Sequence, residues 1–444
     1  MNLEKEYDYI VVGTGPGGAT VARELAREKR NILIVEYGPR LNETGFLKVA
    51  SKAFLDKTKK ALRSDGGIWF GRARILGGSS YVAMGNAATP PKVIFDEWGF
   101  DLSEELEWSR KELRVTPMPE EFMGEATKKI NKAAGSLGWD MKPTPKCVDF
   151  SKCKRCSLCM FGCPTGAKWS SLEFIDEAVA NGADCLIEAE VTKVLHENAC
   201  VHGISAIHNG ETLTIKGKRV ILAAGGLGTP IILQNSGISE AGNGLAGDVF
   251  QTTYGFTDDV GMQGEIILAT YLEQLIEEKE LFPAPYMYIP FLVKRDMEGG
   301  YPERMGVFQQ AQMLLKAQRI NTKRLIGMMT KIRDEMNGKV HNNGTVSKQL
   351  TEKDKAKLGE AHEINARILV AAGAKPESIF TGVYESGHPC CTAAIGKIVD
   401  EHQETEIENL FVSDASVFPS PLGMPPILTI VALSKRLSNH LLSE

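Results

Sequence analysis

The sequence predicts a mixed α/β fold, with a parallel nucleotide-binding sheet joined to a second domain built on an antiparallel sheet. Three observations carry this. Residues 7–36 read as strand, glycine run, helix and strand. A second buried strand, Arg219–Ala224, also ends in glycines. Residues 256–345 hold aromatic and Met-rich strand-like runs of a different composition.

The elements justify this in order. Tyr7–Val12 is a short β-branched run that suits a buried parallel strand. Gly13-Thr-Gly15-Pro-Gly-Gly18 follows at once, then helical spacing over 19–30 and a second strand, Asn31–Glu36. This is a βαβ unit of Rossmann type containing the G-x-G-x-x-G fingerprint. Gly13 permits the tight turn, Gly15 lets the backbone approach a pyrophosphate, and Gly18 lets helix and strand pack. The helix N-terminus supplies free N–H groups and a positive dipole end. Glu36 closes the second strand, where a carboxylate accepts ribose hydroxyls. The motif alone does not separate NAD from FAD.

Gly71-Arg-Ala-Arg74-Ile-Leu-Gly77-Gly78-Ser79-Ser80 suits close approach to a flat cofactor or its phosphates. Residues 97–148 read as a charged, helical covering segment. The runs 185–195, 204–207 and 212–215 read as a small antiparallel sheet leading into Arg219–Gly228. That second nucleotide-contacting strand shifts the expected cofactor from NAD to FAD. Tyr286–Leu292 is expected to be strand-like, part of a sheet roofing a substrate pocket. His341-Asn342-Asn343-Gly344 suits a hairpin turn. Thr351 is placed to cap a helix running to Ala372, which Gly373 stops. A terminal helix closes the chain.

Cys153, Cys156, Cys159 and Cys163 follow the spacing C-x2-C-x2-C-x3-C-P, the bacterial ferredoxin run for an iron–sulfur cluster. Four of the nine cysteines stand here, so the clustering is not compositional. Zinc is the competitor, but its sites usually split into two C-x2-C pairs across a longer loop. A [4Fe-4S] cluster is the favoured occupant. Cys163 is the favoured fourth ligand, with Cys147 or the Cys390–Cys391 pair as alternatives.

The chain has 444 residues, ordinary hydrophobic (43%) and charged (24%) content, and a net charge of −5, which gives no electrostatic footprint for nucleic acid. No secretory leader and no apolar run long enough to span a membrane is read. The cysteine usage argues against a disulfide framework and for a cytoplasmic setting.

Together these blocks resemble the glucose–methanol–choline (GMC) oxidoreductase family. The matching residues are Gly13, Gly15 and Gly18; Gly71-Arg72 through Gly77-Gly78-Ser79-Ser80; Leu222–Gly225 through Thr229-Pro230; His388-Pro389 with Gly396; Asp414-Ala415-Ser416; and Gly423 through Thr429. The cysteine run, followed by Thr165-Gly-Ala-Lys168, resembles a subset of that family. The resemblance implies FAD held by separated segments, with Gly13, Gly15, Gly18, Glu36, Arg74, Gly77, Gly78, Ser79, Val191, Ala224, Gly225, Asp414, Ala415 and Pro426 at the cofactor. It implies oxidation of a CH–OH group by hydride transfer to the flavin, with His388 as general base. The expected organisation is an FAD-binding domain from 1–95, 171–255 and 381–444. A covering segment with the cysteine motif spans 96–170, and a substrate-binding sheet and helix span 256–380.

Two departures stand out. Pro425 occupies the place of a usual His or Asn and donates no hydrogen bond. Cys390 and Cys391 follow His388-Pro389 where the family has small residues. The leading expectation is a dehydrogenase passing electrons through the cluster to a one-electron carrier, such as ferredoxin or a partner subunit. Its alternatives are a ferredoxin-driven reductase of a C=C or C=O bond and a non-catalytic electron-transfer subunit.

Overall fold

The computed structural model describes residues 5–41, 49, 62–287, 290–298 and 321–444. Residues 288, 289 and 299–320 of the expected roof, and residues 1–4 of the N-terminus, lie outside the described residues.

The first sheet grows from β1 (Tyr7–Val12), whose side chains are almost all buried. Helix α1 (Pro16–Arg27) follows with Gly15 as N-cap and Pro16 at its first position, where the missing N–H costs nothing. The helix thus starts three residues earlier than the apolar spacing suggests, because Pro16 sets its φ. It stops before Lys29, which is left-handed (φ 57°). β2 (Ile32–Val35) lies parallel to β1.

β3 (Asp184–Leu186) adds in parallel to the far edge of β2. The expected single strand over 185–195 is therefore broken. Glu188 turns left-handed (φ 57°) and its N–H donates to the carbonyl of Gly38. The chain then crosses to the opposite edge as β4 (Ala189–Glu197) and β5 (Cys200–His208).

The two runs read separately at 212–215 and 219–224 fuse into one strand, β6 (Glu211–Leu222). Its first half pairs antiparallel with β5. Its second half lies parallel to β1 and to the short strand Leu410–Val412. β6 is therefore shared by the parallel sheet and the antiparallel extension, and it ends at α2 (Gly225–Asn235).

The second sheet centres on β7 (Val249–Phe256), flanked by β9 (Leu325–Ile332), with β8 (Leu281–Pro285) beyond it. On the other side of β7 come Glu385–Ser386, then Trp69–Phe70 and Leu62–Arg63. Of the strand expected over 286–292, residues 288 and 289 lie outside the described residues, and the described ones are not strand. β8 ends at Pro285, and a helix, Pro290–Met297, starts on a proline.

One face of this sheet is covered by α3 (Glu352–Ala371). Asn365 of α3 donates to Thr330 Oγ1, and His362 lies 3.1 Å from Thr253 Oγ1. A capping box between Thr351 and Asp354 starts α3, and Gly373 (φ 92°) follows its end. The turn at 341–345 joins the short antiparallel strands Gly338–Val340 and Val346–Ser347. α4 (Ile427–Ser443) closes the chain against α1. Among the described residues no helix is long and apolar enough to cross a membrane.

Candidate active site

Five parallel strands end side by side, and the loops leaving them form a cleft. This is the place where open α/β sheets bind ligands. Gly13 leaves β1 with φ 102°, and a Cβ there would lie 2.3 Å from the carbonyl oxygen of Ala223. A Cβ on Gly18 would lie 2.1 Å from the Gly13 oxygen. Gly15 differs, because a Cβ built there meets nothing within 4 Å. Gly225, at the start of α2 with φ 79°, also faces open space. Two glycines opening on one cleft at two helix starts suit a ligand whose phosphates approach the backbone.

Glu36 is buried, and burial pushes its carboxyl upward. Thr14 binds it with both N–H (3.1 Å) and hydroxyl (2.5 Å), and Gly38 N–H donates at 2.7 Å. Thr14 Oγ1 also accepts from Gly77 N–H at 2.9 Å, which ties the second glycine loop to the first. Gly78 packs so closely that a Cβ would sit 2.8 Å from Gly15 Cα. Ser79 Oγ accepts from Ala73 N–H, and the Arg74 guanidinium lies 5.2 Å over the Tyr37 ring.

Asp414 is likewise buried and pushed upward by burial. It accepts from Gly225 N–H (2.8 Å), Thr229 Oγ1 (2.6 Å), and the N–H and hydroxyl of Ser416. It therefore fastens the start of α2. Ala224 is exposed at the cleft mouth, and Ala415 is buried with its carbonyl accepting from Cys391 N–H. Val191 lies in β4, two residues beyond Ala189, whose N–H donates to the Glu36 carbonyl. Pro426 caps α4.

His388 follows the Glu385–Ser386 strand. Its Nδ1 lies 3.1 Å from Asp248 Oδ2, while Gly423 N–H donates to Asp248 Oδ1 at 2.7 Å. With the carboxylate as acceptor, Nδ1 carries the proton and Nε2 keeps its lone pair. Burial pushes Asp248 up to about 7 and holds His388 well below its ordinary value, where the Lys331 ammonium adds to the effect. Both groups are thus biased to their neutral forms. The Gly423-Met424 turn that anchors Asp248 precedes Pro425, so at this bend backbone N–H groups meet the carboxylate.

The sequence reading missed Asp248 and Lys331. Asp248 has a left-handed backbone (φ 48°) at the entry to β7, a conformation for which Asp is one of the tolerated residues. Lys331 is a buried lysine inside an apolar strand. Cys390 and Cys391 are buried free thiols, Cys391 Sγ donating to Cys390 Sγ at 3.5 Å, and Cys391 is left-handed (φ 67°).

The cysteine run lies against the second glycine loop. Lys168 Nζ donates to the carbonyls of Ser80 and Tyr81 at 2.8 and 2.9 Å, and Ser171 N–H donates to Ser80 Oγ. Cys153 packs beside Met118 and Met123, whereas Cys156 is exposed. Burial raises Cys159. It also acts on Cys163, but hydrogen bonds from Lys168 N–H and Thr165 outweigh it and hold that thiol low. Two buried ammonium groups, Lys146 and Lys168, face these thiols, each pushed down to about 8 by burial. Among the described residues no three Cys, His, Asp or Glu side chains converge as a metal-holding group.

The GMC oxidoreductase signature matches residues 7–255 with its N-terminal part and 312–434 with its C-terminal part. The chain belongs to the GMC oxidoreductase family. An uncharacterised protein of Methanocaldococcus jannaschii is 27% identical over 98% of this chain and 100% of its own. A long-chain-alcohol oxidase of Arabidopsis thaliana is 24% identical over 98% of this chain and 66% of its own. The fold is that of formate oxidase from Aspergillus oryzae, with a TM-score of 0.72 at 15% identity over 99% of this chain and 98% of the other. Membership supports FAD as the dinucleotide. The open positions at Gly15 and Gly225, with Glu36 at the end of β2, fit such a group.

Proposed function

We propose that this GMC family member is an FAD-dependent oxidoreductase that oxidises a CH–OH group, with His388 as general base. The observation that carries the reading is the His388–Asp248 pair beside a two-glycine dinucleotide cleft. The alcohol-oxidase relative adds the substrate class. Gly13, Gly15, Gly18, Glu36, Gly77, Gly78, Ala224 and Gly225 would hold the cofactor, and Asp414 would fix the start of α2 beneath it. FAD supplies the acceptor for the hydrogen and electron pair of the C–H bond. His388 Nε2 takes the hydroxyl proton, and Asp248 holds the ring and stabilises the imidazolium that forms. Burial keeps the imidazole neutral and ready to accept.

Mixing the flavin-loaded protein anaerobically with primary and secondary alcohols tests this. Bleaching of the oxidised flavin band with a carbonyl product supports the reading. No bleaching with any alcohol, together with flavin oxidation by enones or ketones after dye reduction, replaces it with the reductase reading.

The cysteine run adds a finer proposal: Cys153, Cys156, Cys159 and Cys163 would hold a [4Fe-4S] cluster, which would supply one-electron transfer to a carrier. Its support is the ferredoxin spacing and the Lys168 link to the Ser80–Tyr81 loop. Two buried ammonium groups beside the thiols would also offset cluster charge. Iron and acid-labile sulfide in anaerobically purified protein support the cluster, zinc in their place refutes it, and oxygen consumption against viologen reduction separates oxidase from dehydrogenase.

A further inference from the structure

Four lysines are buried among the described residues: Lys146, Lys168, Lys331 and Lys348. Three have hydrogen-bond acceptors. Lys146 donates to Asn86, Lys168 to the carbonyls of Ser80 and Tyr81, and Lys348 to Asn337 while pairing with Asp334. Lys331 is 5% exposed and has no hydrogen bond or ion pair to a described residue. Its Nζ lies 4.0 Å from the centroid of the Phe250 ring. Burying a cation with so little to hold it is expensive, and such positions are retained for function.

The register places this amine. Phe282, Lys331, Phe250, Glu385 and Trp69 are cross-strand partners in turn, so they form one row on one face of the sheet. The opposite face is the one covered by α3. Two more buried donors on the row's face have no partner among the described residues, Trp69 Nε1 and Thr252 Oγ1. Thr252 stands two residues from Phe250 and therefore on the same side. Glu385 is satisfied by Arg295, which also pairs with Asp296, and Asp296 accepts from Tyr254. Among the described residues of this row only Lys331 carries a charge without an ion pair, and it acts electrostatically on Asp248, Glu385 and His388.

We propose that Lys331 is a catalytic residue, the hydrogen-bond donor to the substrate's hydroxyl oxygen, opposite His388. It supplies at this oxygen the donor that Pro425 cannot. The inference rests on the CH–OH oxidation reading. In the step, the O–H proton passes to His388 Nε2 and the C–H hydrogen leaves with its electron pair to the flavin. The C–O bond becomes a carbonyl. Lys331 keeps its proton and stabilises the negative charge that develops on oxygen as the proton departs. Its charge also lowers the proton affinity of Asp248 and of His388. The other charges facing this group are Glu385, neutralised by Arg295, Asp334, neutralised by Lys348, and Arg333, which acts on Asp248 and is paired with Glu97 and Glu280.

The test is anaerobic flavin reduction by an alcohol, followed against pH, in flavin-loaded wild type, Lys331→Met and Lys331→Arg. The expected result is a fall of about 10²–10³-fold in the maximal rate for Lys331→Met. Its acid limb should move to higher pH, because a nearby positive charge is lost. Lys331→Arg should leave that limb in place. Binding of trifluoroethanol, read from perturbation of the flavin band, should weaken at least about tenfold in Lys331→Met. A Lys331→Met rate equal to wild type, or a lower rate with an unmoved acid limb and unchanged trifluoroethanol binding, overturns the proposal while CH–OH oxidation stands. A wild type that reduces its flavin with no alcohol overturns both.

Discussion

At His388, burial keeps the proposed base neutral and Asp248 fastens it. Asp248 is the controlling partner, because its carboxyl is pushed up to about 7 and must be ionised to accept from Nδ1. Alcohol oxidation is therefore expected to rise with pH through about 7 in a kcat/KM profile. Asp248→Asn should remove that limb. Lys331 has the opposite sign in stability. Its folded pKa, about 8, lies below its ordinary 10.5, so the folded state resists protonation. The cost is fully present below pH 8 and vanishes as pH rises toward 10.5. Lys331→Met should therefore stabilise the flavin-free protein by about 3 kcal/mol at pH 7, with a smaller gain at pH 10, as read by urea denaturation. The glycine fingerprint stands out in sequence because its chemistry depends on neighbours in the chain, and His388 stands out through the family resemblance of its His-Pro block. Asp248 lies 140 residues from His388, and Lys331 sits in the apolar run Leu325–Ile332, so long-range pairing hides both roles.

The glycine-rich turn before α1 separates two roles that sequence spacing alone merges. Gly17 lies against the chain, since a Cβ there would stand 1.7 Å from the Ser413 oxygen, whereas Gly15 opens on the cleft. Gly17→Ala should destabilise the flavin-free protein by about 1–3 kcal/mol or more in chemical denaturation. Gly15→Ala should unfold like wild type but lose at least about tenfold in FAD affinity, measured by flavin fluorescence titration. The βαβ unit and the capped α3 were legible because propensity, capping and burial agree there. The strand expected over 185–195 failed at Glu188, where a charged residue takes a left-handed turn that no local pattern announces. The strand expected over 286–292 failed at 290–292, where an apolar, aromatic composition serves a helix as well as it serves a strand.

Across the molecule, neither sheet is contiguous in sequence. The parallel sheet collects strands from residues near 10, 34, 185, 220 and 411, and the antiparallel sheet takes Trp69–Phe70 and Glu385–Ser386 from either end of the chain. His388 is thus carried by the antiparallel sheet, while the glycine loops that would hold the flavin belong to the parallel one. The proposed base and the cofactor would thus be held by different sheets, and the Gly423-Met424 turn links the two through Asp248. The order of motifs made this architecture readable, but the strand exchange between sheets depends on pairings of high sequence separation. The central claim is that His388 takes the proton when a CH–OH group is oxidised here. The most direct measurement is the anaerobic rate of flavin reduction by an alcohol in His388→Ala protein that retains its FAD, relative to wild type. A fall of about 10²–10⁴-fold is predicted; a rate within a few-fold of wild type would contradict the account.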